Sequence, residues 1–169
     1  MAEDVDWLNA DEARTWRSLH AALVLLPVAL DAQLQRDSGL SYLEYYVLAG
    51  LTEVPSGRRR LSDLAILTNA ELSRISHLVA RLEKRGLLER QPDPDDARVT
   101  NAVLTEQGRA TMESAAPGHV ATVRKLVFDG LGQRGLAELR NTADRIVAAL
   151  SATDLPLAPT IRKALRDTK

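Results

Sequence analysis

The chain has no cysteine. That excludes disulfides as a source of stability, and it removes thiol nucleophiles, thiolate metal sites and thiol redox switches. Long apolar runs are missing too: the longest, Ala21 to Leu30, covers ten residues, whereas a membrane-spanning helix needs about 20. Met1 to Asp6 carries acids where a secretory signal needs a basic stretch. A soluble, cytoplasmic protein without membrane association is expected. Nor is there an excess of one charge, with 22 Lys and Arg against 23 Asp and Glu and a net charge of −1. That total rules out a chain basic throughout, but a local basic face can hide inside it.

Catalytic signatures are equally scarce. The nine glycines stand singly at turns and helix ends, not in a phosphate-cradling loop, and no nucleophile–base–acid set is apparent. Asp95-Asp96 reads as a charged, solvated pair on a mobile tip, where nothing would raise a carboxyl pKa. The three histidines, His20, His77 and His119, fall on different predicted helices without ligand-like spacing. No enzyme, no metal and no cofactor is expected.

What is present is 169 residues, 45% hydrophobic and 27% charged, enough for one folded domain with helical extensions. Asn9 with Glu12 has capping-box spacing, and Leu19, Leu23, Leu26, Leu30 and Leu34 recur at helical steps to about Arg36. Pro27 inside that pattern predicts a kink. Asp37-Ser38-Gly39 is a stop, Ser41 with Glu44 restarts a helix to about Glu53, and Pro55-Ser56-Gly57 is a turn. A short helix over Leu61 to Leu67, capped at Ser62 or just before, is separated by Thr68-Asn69-Ala70 from a second over Glu71 to Arg85 that ends at Gly86. That is a helix-turn-helix pattern. Strand-like Leu87 to Gln91 and Val99 to Leu104 flank a Pro-Asp-rich loop and predict a hairpin. Thr105 opens a helix with a kink or break at Pro117-Gly118, a turn follows at Gly130 to Gly132, and a last helix runs to about Leu150 before a tail with Pro156 and Pro159.

On a helical wheel Leu72, Ile75, Leu78, Val79 and Leu82 share one side of the second short helix. The other side carries Ser73, His77, Ala80, Arg81 and Lys84, flanked by Arg74 and Arg85. Such a helix suits the DNA major groove, with Ser73, Arg74 and His77 near base edges and Arg81, Lys84 and Arg85 nearer phosphates. An ordinary amphipathic helix with a solvated basic face has the same pattern. The surroundings favour the groove: from Arg58 to Arg90 eight basic residues stand against four acidic, so this stretch carries +4 and the remainder −5. Charge is segregated as an electrostatic footprint requires. The hairpin tip is acidic (Asp93, Asp95, Asp96), and Arg98 stands just beyond it. Asp96 can orient Arg98 toward a minor groove, or the two can form a plain surface ion pair.

The order helix, helix, short helix, recognition helix, hairpin, long helix, helix resembles the MarR family of bacterial transcription regulators over roughly Ala13 to Leu150. The strongest local likeness is Asp96-Ala97-Arg98 followed by Leu104-Thr105, which fits the family's wing pattern D-x-R-x5-L-T. Leu61-Ser62-Asp63-Leu64-Ala65, Leu72-Ser73-Arg74-Ile75-Ser76-His77 and Arg81-Leu82-Glu83-Lys84-Arg85-Gly86-Leu87-Leu88 add to it. The resemblance implies a mainly α fold with a small β-hairpin wing: a winged helix-turn-helix domain plus a helical dimerisation region. It divides the chain into residues 1–53 (N-terminal dimerisation helix and the helix after it), 54–105 (DNA-binding lobe) and 106–169 (C-terminal dimerisation helices and tail).

It further implies a homodimer acting as a repressor on pseudo-palindromic double-stranded DNA. Ser73, Arg74, Ser76, His77 and Arg81 match recognition-helix positions, and Asp96 with Arg98 matches the wing pair. Leu136, Leu139, Ala143, Ile146 and Leu150 have the spacing of a helix-helix seam, with Val120, Val123 and Val127 ahead of it. Packing within one chain would produce the same stripe. Relief by a small aromatic or anionic effector is implied as well, and Trp16, His20, Tyr42, Tyr45 and Tyr46 come from segments that would line its cleft. Core packing is the other reading of each. Two departures stand out: the proline bends fall in helices of the dimer body, and the missing cysteine removes the oxidation switch of some family members. A helical protein-interaction module that has lost DNA binding is the alternative, kept open by the acidic wing and near-neutral charge.

Overall fold

Asn9 starts the first helix as its spacing to Glu12 predicts. Its side chain accepts the Asp11 and Glu12 N–H groups, and the Glu12 carboxylate accepts the Asn9 N–H, satisfying amides that a helix start leaves bare. The computed structural model describes residues 5–153 other than residue 97, so the tail with Pro156 and Pro159 lies outside the described residues. Helix α1 (Ala10–Ser38) ends where Gly39 turns left-handed at φ 63, a conformation that costs glycine little. Helix α2 (Tyr42–Thr52) opens on a second capping box, Ser41 with Glu44.

A strand, β1 (Arg58–Arg60), precedes α3 (Leu61–Leu67) and α4 (Leu72–Lys84), and β2 (Leu88–Pro92) and β3 (Thr100–Leu104) form the predicted hairpin. All three strands pair antiparallel in the order β1-β3-β2. The sequence reading contained no β1, because three arginines have neither alternation nor β-branching. Pairing of Arg58 with Val103 and Arg60 with Asn101 imposes the strand from outside. Arg60, not Ser62, stands at the N-cap of α3, and no side chain caps that helix.

Helix α5 (Glu106–Val123) continues through Pro117, and α1 continues through Pro27. Both prolines are exposed, so the carbonyl each deprives of a partner can turn to water. The expected break at Pro117-Gly118 is therefore absent. The irregularity comes later, as a π-helical turn over Arg124–Phe128 closed by the Asp129 N–H on the Arg124 carbonyl at 2.8 Å. Helix α6 (Gln133–Ser151) follows.

One core joins the C-terminal end of α1 to the sheet and α5, through Leu34, Leu48, Leu64, Ile75, Leu82, Leu88 and Met112. Helix α2 lies at its centre and packs on α1, α5, α3, β1 and β3. At the joint between wing and long helix the Thr105 hydroxyl donates to the Gly86 carbonyl at 2.7 Å and accepts the Gly108 N–H at 3.0 Å. Glycine is required at 108, since a Cβ there would overlap the Leu87 carbonyl oxygen.

The N-terminal half of α1 and all of α6 stay outside this core. Among the described residues α6 makes no extensive contact with another element, and Leu136, Leu139, Ile146 and Leu150 are 38–52% exposed. By length and composition alone α1 could cross a membrane, with an 18-residue window of mean hydropathy 1.2. Its far end is built into the protein core at Leu30 and Leu34.

Candidate nucleic-acid interface

The helix-turn-helix is closed by backbone geometry. Asn69 adopts φ 51, which asparagine tolerates better than other non-glycine residues, and the Ala70 N–H reaches back to the Ala65 carbonyl at 2.9 Å. Ile75, Leu78, Val79 and Leu82 anchor α4 in the core, while Ser73, Arg74, His77, Arg81 and Lys84 face solvent and Ser76 is half-buried. Leu72 is the exception on the apolar side: it is 53% exposed. It shares the wheel angle of Val79 but sits at the first turn, ahead of where α4 meets its neighbours. A wheel discards position along the axis.

Most of the basic residues here are engaged. The Arg58 guanidinium donates to Gln91 Oε1 at 2.8 Å, and Arg59 Nε donates to the Gly50 carbonyl at 2.6 Å. Arg60 Nε pairs with Asp93 at 3.1 Å. Arg81 and Arg85 lie 3.8 and 3.6 Å from the carboxylate of Glu44, whose side chain is only 9% exposed. The Arg90 N–H and Nε donate to Glu83 at 3.0 and 2.7 Å, tying β2 to the end of α4. These contacts hold the Glu83 carboxyl below the usual carboxylate range. Among the described residues only Arg74 and Lys84, of the eight basic residues between 58 and 90, have no side-chain partner. The basic excess is real, but much of it is a fixed field.

The wing divides its carboxylates between two tasks. Asp93, expected at the solvated tip, is buried. It accepts from Asn101 Nδ2, Arg60 Nε and the Asp95 N–H, each at 3.1 Å, and the first of these leads in lowering its pKa. The reason is register: Pro92 pairs with Thr100, which leaves Asp93 at the strand end beside Asn101, facing inward. Asp96 holds Arg98 as its spacing suggests. Arg98 Nε and Nη2 donate to the two Asp96 oxygens, both at 3.0 Å, in a bidentate fork, while the Arg98 side chain stays 90% exposed. This fork leads in lowering the Asp96 pKa.

The aromatic candidates separate into two groups. Tyr42, Tyr45 and Tyr46 cluster on α2, with Tyr42 and Tyr46 rings 4.5 Å apart. Trp16 and His20 pack on each other at 5.7 Å on the exposed half of α1. His20 is ten residues before Leu30, where α1 enters the core, a rise of about 15 Å. Within one chain that pair is not part of the tyrosine cluster. Its fourth member is instead His119 of α5, 4.4 Å from the Tyr45 ring, a residue whose spacing in the sequence points to no metal site and says nothing of this cluster. Burial lowers the His119 pKa and raises that of Tyr45, and burial with a Tyr46 hydrogen bond raises Tyr42 strongly. Two buried atoms nearby on α1 and α5, Gln33 Oε1 and His119 Nδ1, have no hydrogen-bond partner among the described residues. Glu44, legible only as a helix cap, is the functional neighbour the sequence hid, since nothing local places it beside Arg81 and Arg85.

A three-stranded wing behind a helix-turn-helix, between long helices with bare apolar faces, defines a winged helix-turn-helix protein. Residues 38–99 match the MarR family model. The crystal structure of Sco3205, a MarR family transcriptional regulator from Streptomyces coelicolor in complex with DNA, is similar at 41% identity and TM-score 0.81, over 90% of this chain and 94% of that one. CouR from Rhodococcus jostii RHA1, bound to p-coumaroyl-CoA, is 28% identical with TM-score 0.65, over 76% and 87% of the two chains. The HTH-type transcriptional repressor IacR of Pseudomonas putida is 34% identical over 34% of this chain and 35% of its own length. The match thus spans only about a third of that curated relative. The chain belongs to the MarR family of transcriptional regulators.

Proposed function

We propose that the chain is a sequence-specific DNA-binding transcription regulator, a repressor that acts as a homodimer on a pseudo-palindromic operator and is relieved by a small aromatic or anionic ligand. One observation carries the reading. Ser73, Arg74 and His77 stand exposed along one face of a core-anchored helix, and a forked Arg98 is displayed on the adjoining wing. Such a surface offers base-edge readers in one groove and a pre-oriented cation for the next. That Sco3205 crystallised with DNA supports it. The IacR likeness supports repression, and the p-coumaroyl-CoA of CouR supports an aromatic, anionic effector. The exposed stripe of Leu136, Leu139, Ile146 and Leu150 is the surface we assign to a second copy, with the apolar half of α1 beside it. The reading includes a cytoplasmic location, where a DNA partner of this kind is met.

The protein-interaction alternative drew on an acidic wing. With Asp93 buried against Arg60 and Asp96 paired to Arg98, Asp95 is the one tip carboxylate left exposed without a cation partner among the described residues. A gel shift on the DNA upstream of the chain's own gene, across a salt series, is the test. A specific complex whose log K falls linearly with log salt, with slope near −0.9 per phosphate contact, is expected. No complex at low salt would refute it.

A further inference from the structure

Leu72 is a large apolar side chain left in water on a lobe that buries the others. Between residues 47 and 119 no other large hydrophobic residue is exposed among the described residues. The remaining exposed ones lie on the segment before α1, on α1, at Tyr46 of α2, at the end of α5, on the π-helical turn and on α6. Leu72 is also the first residue of α4, and its apolar companions Ile75, Leu78, Val79 and Leu82 are buried. Those four anchor the helix without it. Side chains on a helix lean toward its N-terminus, so Leu72 reaches past the first turn, between the exposed Glu71 and Ser73. No side chain caps that end of α4. A recognition helix sets its N-terminal residues against base edges.

We infer that Leu72 reads a thymine methyl group in each half-site. The inference rests on the DNA-binding reading and adds to it a specificity determinant that is not polar. Most of what the major groove displays donates or accepts hydrogen bonds, and Ser73, Arg74 and His77 can answer those groups. The apolar feature of a base edge there is the C5-methyl of thymine. Leucine neither donates nor accepts, so contact with that methyl is the recognition open to it, and apolar surface leaves water on both partners. Cytosine at the same position would set its amino group against the leucine and leave that donor without a partner. One side chain thus favours thymine and penalises cytosine.

Binding-site selection with the full chain supplies the operator. It should return one thymine per half-site that selection with Leu72→Ala no longer requires. Deoxyuridine then replaces the thymines singly, which removes a methyl and leaves the pairing edge and the charge untouched. At one position per half-site the exchange should weaken wild-type binding about three- to five-fold, the worth of one buried methyl-sized group. There Leu72→Ala should bind the thymine and uridine duplexes equally. Arg98→Ala, on the wing, should bind both more weakly and keep the wild-type ratio. Leu72 is exposed, so the variant should melt close to the wild type; Leu72→Gln is the second variant and should behave as Leu72→Ala does. Wild-type affinity indifferent to uridine at every position would overturn the inference while the operator complex stands. So would a thymine–uridine ratio that survives in both Leu72 variants, or one that Arg98→Ala abolishes. A sedimentation coefficient that falls in Leu72→Ala without DNA would assign the side chain to protein association instead. No complex with any duplex at low salt would refute the regulator reading and this inference with it.

Discussion

Glu44 and Arg85 face each other at 3.6 Å across the junction of α2 and α4, and the second oxygen of the same carboxylate faces Arg81 at 3.8 Å. Glu44 also accepts from the Ser41 N–H and hydroxyl at 2.8 and 3.0 Å. One buried carboxylate therefore caps a helix and restrains two cations at the end of α4. Glu44→Gln is expected to cost less than about 1 kcal/mol, because a glutamine at this capping-box position can still accept the Ser41 N–H. The ion pairs add little, because Arg81 and Arg85 are 66% and 39% exposed and water can take them up. The released arginines should strengthen non-specific DNA binding at low salt and steepen its salt dependence. Urea denaturation and gel shifts on unrelated DNA measure the two effects, and unchanged non-specific binding would show that Glu44 restrains nothing.

Arg98→Ala is expected to weaken operator binding about ten-fold, near 1.4 kcal/mol, and most where AT-rich flanks narrow the minor groove. Asp96→Asn should fall between mutant and wild type, since Arg98 keeps its charge but loses half of a bidentate partner. Affinity measured on operators differing only in flanking sequence checks this. Equal losses on every flank would make Arg98 a plain phosphate contact.

His77→Ala should relax base preference by about 1–3 kcal/mol at one position per half-site. A binding-site selection with the two proteins reads it directly. Uniform weakening across all sequences would place His77 on the backbone instead.

The pH dependence of stability should carry the mark of His119. Burial holds its imidazole below the ordinary histidine range, so the folded chain takes up that proton less readily than the unfolded one. The sign follows: stability is full above about pH 6.5 and declines as pH falls through that value. The lowered carboxyls, Glu83, Asp93 and Asp96, lose stability only further down, below about pH 4.5. Thermal melts between pH 7 and 5.5 should show Tm falling with acid, and His119→Gln should flatten that slope. An identical slope in the variant would refute the assignment.

The parts of this fold that were legible are those written locally. Asn9 with Glu12 and Ser41 with Glu44 announced two helix starts, Gly39 and Gly86 two ends, and Asp96 with Arg98 the fork on the wing. What stayed hidden depends on partners far along the chain. Strand β1 exists because β3 pairs with it, and Asp93 turns inward because Arg60 and Asn101 await it. His119 joins the tyrosines only once α5 lies against α1 and α2. Pro27 stands inside a continuous α1, as the periodicity on either side of it implies, whereas the break expected at Pro117 fails because exposed carbonyls and packing on either side carry α5 through it.

The joint of Gly86, Leu87, Thr105 and Gly108 rivets the wing to the first turn of α5. Reading head and long helix must then swing as one piece. If two such chains pair through α6 and the apolar half of α1, the angle between the copies sets the span between the heads, so that proposed interface is the ruler and the heads are its marks. Inserting one base pair between half-sites turns one of them by about 34° about the DNA axis. A riveted head has no independent swivel with which to follow.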